Sequence, residues 1–265
     1  MIQFYVFPGG KKHVVTFSYD DGKPEDARLI ELFNAYGVKG TFHLNGKNYL
    51  SATEAELETL RNRYAGHEIS CHTLNHGWPS GMPAQSVVGE VMEDRKILER
   101  IAQYPVTGMS YPYGDYNQEV IGIMQACGIV YSRTVEATNR FALPTDFMRW
   151  HPTCHHKNAL PLCQSFVEKL DKPHTRPLFY IWGHSFEFRT EEDWAYMESI
   201  LKMLAHNDMI WYATNMEIYH YMTAQRQLQI SADEKMFYNP TATDVWVERN
   251  KTDIICIPAG KTVKA

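Results

Sequence analysis

Two adjacent carboxylates, Asp20 and Asp21, and two imidazoles four residues apart, His72 and His76, are the side chains of this sequence best suited to act together. They are enough to hold a divalent metal and leave one carboxylate free as a base, a combination that activates water near neutral pH. That points to hydrolysis. The two acids close an apolar run (Val14, Val15, Phe17) that reads as a buried strand, and Gly22-Lys23-Pro24 then breaks it. Successive side chains of a strand point to opposite sides, so one acid can bind metal while the other faces substrate. His72 and His76 are spaced to share one face of a helical turn or compact loop. Asp-Asp-Gly alone is also a common turn, and His-x-x-x-His alone is only suggestive. Together they favour a metal site.

With these motifs in view, the chain resembles the polysaccharide deacetylases that share the NodB homology domain, carbohydrate esterase family 4. The family's Thr-Phe-Asp-Asp-Gly appears as Ser18-Tyr19-Asp20-Asp21-Gly22, and its His-Ser/Thr-x-x-His as His72-Thr73-Leu74-Asn75-His76. Its Arg-x-Pro-Tyr-Gly is similar to Ser110-Tyr111-Pro112-Tyr113-Gly114, and its late strand ending in histidine to Tyr180-Ile181-Trp182-Gly183-His184. The matches keep the family's order over about residues 12–215. The resemblance implies that Asp21, His72 and His76 ligate the metal, a three-ligand arrangement of the catalytic type. It implies Asp20 as general base and His184 as general acid. It also implies that the Tyr113 backbone N–H helps to stabilise the oxyanion.

Two departures follow from the resemblance. The third motif's arginine, which orients the base in the family, is Ser110 here; a missing cation would alter the proton affinity of Asp20. Arg149, just before Trp150, is a candidate to supply a guanidinium from a neighbouring strand. Trp150 resembles the aromatic of the fourth motif, but that motif's aspartate is absent. His151, His155 and His156 read as loop residues near the cleft rather than a second metal site, since no matching ligand pair is evident. Of the aromatics near the motifs, Tyr49, Trp78, Tyr111, Tyr113, Trp150, Trp182, Phe186 and Phe188 are candidates to stack on sugar rings, and Glu187 lies close to His184.

The elements that must position these groups alternate in type. Strand-like runs fall at residues 13–19, 38–44, 67–70, 107–111, 129–134, 148–152, 178–182 and 209–213, and helical patterns at 24–36, 53–64, 84–102 and 191–206. Strand–helix alternation argues for a parallel sheet. The motifs sit at strand ends that lead into loops, where barrel enzymes keep their chemistry. The expected fold is an α/β distorted barrel of about seven parallel strands over residues 1–228, followed by a small β-hairpin extension at 229–265. A hairpin that short is marginal alone, so it is expected to pack on the barrel or in a homo-oligomer contact.

Composition excludes several alternatives. At 44% hydrophobic, 265 residues are ample for one sizeable core. A net charge of −5 supplies no basic field for nucleic acid or an anionic membrane, and no apolar run approaches the length of a membrane span. Five unevenly spaced cysteines fit reduced thiols. The first ten residues lack the pattern of a signal peptide, so a cytoplasmic location is the default expectation, a secreted origin with the signal removed being the alternative. The sequence therefore reads as a metal-dependent hydrolase that removes N- or O-linked acetyl groups from a carbohydrate. Zinc is the first expectation for the ion; cobalt, nickel or manganese suit the same ligands. Two alternatives stay open: a hydrolase of a small non-sugar amide, and a carbohydrate-binding relative without turnover.

Overall fold

A short strand, β1 (Ile2–Gln3), precedes β2 (His13–Asp20), the strand on which the rest is built. The computed structural model of the chain describes residues 2–172 and 177–264. Every residue of β2 is buried, as expected for a strand covered on both faces of a parallel sheet. Its alternation separates two environments. Val15, Phe17 and Tyr19 join the larger apolar cluster, whereas Thr16, Ser18 and Asp20 hydrogen-bond to Asn215, His43 and Ser110.

Around β2 stand β3 (Gly40–Leu44), β4 (Glu68–Cys71), β5 (Gly108–Ser110), β6 (Tyr131–Arg133), β7 (Cys154–His155) and β8 (Leu178–His184), in the order β6-β5-β4-β3-β2-β8-β7. All these pairings are parallel, and β9 (Ile210–Tyr212) adds to the start of β2. Trp150 joins the ends of the sheet. Its N–H donates to Ser132 O at 3.0 Å, and it accepts from Thr134 N at 3.0 Å, while Thr153 N donates to Tyr180 O on β8 at 2.8 Å. The sheet thus curls into the distorted barrel that the alternation implied.

The connecting helices are α1 (Asp26–Ala35), α2 (Glu54–Arg63), α3 (Ala84–Ala102), α4 (Gln118–Ala126), α5 (Ala159–Val167), α6 (Glu191–Leu204) and α7 (Asn215–Arg226). The sequence reading did not single out α4, α5 and α7. Pro161 in α5 is tolerated because it lies in the first turn. α7 is rich in aromatic and β-branched residues with modest helix propensity. A capping box between Thr214 and Glu217 starts it, worth about 1 kcal/mol. The strand expected at 148–152 is displaced. Asp146 accepts from Met148 N at 2.8 Å and starts a 3-10 turn, Phe147–Arg149. Pro152 has no N–H with which to continue a ladder, so the strand proper is β7.

The hairpin expected in the tail is present as β12 (Val245–Arg249) and β13 (Asp253–Ile257), with β1 added antiparallel to β12. A second three-stranded sheet, β10 (Gln229–Ile230), β11 (Met236–Tyr238) and β14 (Thr262–Lys264), stands beside it. The tail is tied to the barrel through α7: Tyr221 accepts from Trp246 N at 3.1 Å, and Gln225 donates to Trp246 O at 3.0 Å. All five cysteines are unpaired. Among the described residues no helix is long and apolar enough to cross a membrane.

Candidate functional site

Asp21, His72 and His76 converge at the C-terminal ends of β2 and β4. Asp21 follows β2 with φ 79°, a conformation costly for a non-glycine residue. Gly22 follows with φ 61°, and a Cβ there would lie 2.7 Å from the Tyr49 hydroxyl and 2.9 Å from Leu44. Only glycine fits that turn. His72 Nε2 lies 3.6 Å and His76 Nε2 3.5 Å from Asp21 Oδ1, and the ligand atoms of the three residues all lie within 4.8 Å of one another. A tetrahedral ion with bonds of about 2.0–2.1 Å spaces its ligands roughly 3.4 Å apart, so the donor set fits a divalent metal.

The supporting contacts fit as well. His72 Nδ1 lies 2.9 Å from Ser110 O and 2.7 Å from Ser110 Oγ, which directs Nε2 toward Asp21 in the manner that orients a ligating imidazole. Burial lowers the His72 pKa despite the nearby carboxylates, favouring the neutral, ligating form. The loop is fixed from behind: Asp94 accepts from His72 N at 3.1 Å, and Asn45 donates to His72 O at 2.8 Å and Thr73 O at 2.9 Å.

Asp20 stands beside this triad in a different environment. It accepts from Ser110 Oγ at 3.1 Å and pairs with the buried guanidinium of Arg133. Burial alone would raise the Asp20 carboxyl, but Arg133 first, then His72, His43 and His184, hold it well below the ordinary range. Ser110 and Arg133 are register partners on β5 and β6. Neither strand neighbours β2, so both side chains reach Asp20 across the barrel. Arg133 also donates to Thr134 O at 3.1 Å and lies 4.3 Å over the Trp182 ring. Arg149 is elsewhere: it pairs with Asp146 at 2.6 Å and donates to Gln118 at 2.6 Å. The guanidinium beside Asp20 is therefore Arg133, which sequence reasoning missed. The available signal was a lone arginine inside the strand-like run 129–134.

His184 ends β8 in register with Asp20. Its Nδ1 faces Glu187 Oε2 at 3.6 Å, an ion-pair rather than a hydrogen-bond separation. Burial lowers its pKa, but Glu187, Asp20 and Asp21 outweigh burial and raise it above the ordinary histidine value. Glu187 is a hub. His155 Nε2 lies 2.9 Å and His156 Nε2 3.4 Å from Oε2, and Lys157 Nζ lies 2.9 Å from Oε1. Burial opposes ionisation of Glu187, yet His155, His184 and Lys157 together hold its pKa far below normal. Glu187 thus gives His155 and His156 the acidic companion that the sequence reading did not find. His156 is stacked on Tyr19 and Phe188, and a Cβ at Gly183 would lie 2.0 Å from its Nδ1, so this seat requires glycine.

The aromatic candidates divide. Trp150 is 1% exposed and packs edge-on against Tyr131, Tyr180 and Phe147. It is core, buried by its place at the barrel closure, and offers no face to a ligand. Tyr111 is also fully buried. Trp182 lies under Arg133. Tyr113, with φ 57°, remains half exposed at the mouth beside His76.

Comparison with known proteins agrees with this geometry. The family model described as polysaccharide deacetylase matches residues 8–132. A probable peptidoglycan-N-acetylglucosamine deacetylase of Arthroderma benhamiae is 32% identical over 43% of this chain and 26% of that protein. The chain spans 26 to 44% of the length of the first curated relatives it matches. Among solved structures, a family 4 acetyl xylan esterase from Clostridium thermocellum in complex with a cobalt ion is similar, with 15% identity, 78% of this chain and 90% of that one covered, and a TM-score of 0.56. A family 4 pseudoenzyme from Bacillus anthracis is similar too, with 14% identity, 80% and 66% covered, and a TM-score of 0.52. At such identities these likenesses speak to the fold. Residues 8–132 thus match the polysaccharide deacetylase family model, and over that stretch the chain is similar to proteins of that family.

Proposed function

We propose that the chain is a metal-dependent hydrolase that removes acetyl groups from an acetylated carbohydrate. The observation that carries this reading is the separation of the two adjacent acids: Asp21 faces His72 and His76 at metal-ligand spacing, while Asp20 is held by Arg133 and Ser110. A divalent ion held by Asp21, His72 and His76 would supply Lewis-acid activation of water and of the acetyl carbonyl.

The remaining work falls to the chain's own side chains. Asp20, ionised and 3.8 Å from His72 Nε2, accepts the proton of the attacking water. The Tyr113 N–H offers a preorganised donor to the developing oxyanion. His184, with Nδ1 toward Glu187, gives its proton to the leaving nitrogen or oxygen. Asp20 and His184 end neighbouring strands in register, which supports their acting as base and acid on one substrate. A family relative without turnover was one alternative, motivated by serine at the motif-arginine position. Arg133 supports the active reading, because it restores a cation to Asp20.

The test is acetate release from a panel of N- and O-acetylated sugars and small acetylated amides, using metal-stripped and metal-reloaded protein. Metal-dependent release from sugars that is lost in Asp20→Asn is the expected result. Release from the small amides alone would replace the carbohydrate assignment, and no release from any substrate would refute turnover.

A further inference from the structure

The two imidazoles of the proposed ligand set are held in different ways. His72 is buried, and its Nδ1 lies at hydrogen-bond distance from Ser110. The His76 side chain is 26% exposed, and among the described residues no hydrogen bond holds its Nδ1. A ligating histidine ordinarily has a partner on its second nitrogen, which fixes the ring for the ion. For His76 the neighbours are rings. Tyr113 meets it T-shaped, with centroids 4.5 Å apart and an interplanar angle of 77°. Trp78 then stacks on Tyr113 at 4.0 Å and 6°.

These rings are fixed from outside. His76 and Trp78 lie in the loop after β4, and Tyr113 in the loop after β5. Asp115 accepts from Ser80 N at 2.8 Å and from Ser80 Oγ at 2.6 Å, clamping one loop to the other. On α3, Glu90 accepts from Asn75 N at 2.8 Å and Asn75 Nδ2 at 2.7 Å, one residue before His76. A Cβ at Gly114 would lie 2.3 Å from Val135, so the turn behind Tyr113 packs closely on the loop after β6. His76 (φ 58°) and Tyr113 (φ 57°) both take left-handed backbone. Such strain in a non-glycine residue persists only where the surroundings over-determine it. Trp78 and Tyr113 stay 57% and 52% exposed, so burial does not explain the pair; its inner contact with His76 does.

We propose that Trp78 and Tyr113 are positioning residues for the metal: the stacked pair is a buttress that sets the His76 ring. It takes the place of the hydrogen bond that sets His72. Tyr113 then joins two tasks, since its ring holds a ligand while its backbone N–H is the donor assigned to the oxyanion. This rests on the assignment of the ion to Asp21, His72 and His76, and adds to it what keeps the more exposed ligand in place.

The test is a cobalt titration of metal-stripped protein against a competing chelator. The cobalt absorption bands and the denaturation midpoint of the metal-free protein are read on each variant. Tyr113→Leu is expected to bind cobalt about tenfold more weakly, the lower end of what losing a ligand-orienting partner costs. Trp78→Ala should weaken binding about fivefold, the size of one aromatic contact. Both should shift the cobalt bands and leave the metal-free midpoint near wild type. Tyr113→Phe keeps the ring and should bind as wild type does, as should Met203→Ala, a change at an exposed residue of α6. Wild-type affinity and bands in both Tyr113→Leu and Trp78→Ala overturn the inference. So does weaker binding matched by an equal fall in metal-free stability, or an equal loss in Tyr113→Phe. Cobalt binding that survives intact in His76→Ala refutes instead the ligand set on which the inference rests, so the two failures are distinguishable.

Discussion

The barrel mouth holds two clusters of the same composition, each with two imidazoles and one carboxylate: Asp21 with His72 and His76, and Glu187 with His155 and His156. In the first, both imidazoles stand 3.5–3.6 Å from the carboxylate oxygen, and among the described residues no lysine or arginine pairs with it. In the second, His155 is already at hydrogen-bond distance, and Lys157 occupies the other oxygen. The second carboxylate has its counter-charge; the first lacks one. Residue type alone does not make a metal site. On the proposed reading, spacing and the presence of a resident cation are the criteria, and both favour Asp21 as the ligand of the ion, with Glu187 as the charge that faces His184.

The strongest way to break this contrast is to remove one imidazole from each cluster. His76→Ala should lose stoichiometric metal, and with it acetate release should fall by about 10³-fold or more. His155→Ala should keep its metal; elemental analysis after dialysis reads both. The adjacent acids should separate next. Asp20→Asn should retain metal yet lose about 10²–10⁴-fold in rate, the usual worth of a positioned base. Full activity in Asp20→Asn would remove the base assignment.

Arg133 sharpens the comparison from the side of the charge that the first cluster borrows. Arg133→Ala leaves the buried Asp20 carboxylate without its cation, which should cost about 3–5 kcal/mol of stability, read by denaturant titration. The sign follows from Asp20. Its depressed pKa contributes stability above the ordinary carboxylate range that is lost as pH falls through the folded value. Without Arg133 that loss, and the acid limb of activity, should begin at higher pH.

The smallest expected effect is at the hub. Glu187→Gln removes a charge that raises the pKa of His184. The acid must carry its proton, so activity is present below the His184 pKa and fades as pH rises through it. In Glu187→Gln the alkaline limb should move to lower pH, with kcat reduced about tenfold. A pH–rate profile identical to wild type would show that Glu187 does not act through His184.

The sequence disclosed the parts of the site that are local. Asp20-Asp21-Gly22 and the His72–His76 loop are each set by a strand end and the turn behind it, so short motifs carry them. The parallel barrel was legible for the same reason, through strand–helix alternation. What was hidden depends on closure. Arg133 reaches Asp20 only because β5 and β6 are in register and face β2 across the barrel. Trp150 is core because it seals the ring. Glu187 meets His155 and His156 only because β7 lies against β8. Linear spacing does not encode such cross-barrel meetings, so Arg149 stood in for Arg133 and Trp150 was read as a ligand contact.

The most direct measurement is a cobalt titration of metal-stripped protein, followed by absorption and by acetate release from an acetylated oligosaccharide in the same samples. Assigning the ion to Asp21, His72 and His76 predicts that release rises with bound cobalt and saturates at about one equivalent. It predicts the same curve in His155→Ala and no reconstitution in His76→Ala. Wild-type reconstitution in His76→Ala, or its loss in His155→Ala alone, would place the ion in the other cluster and contradict that assignment.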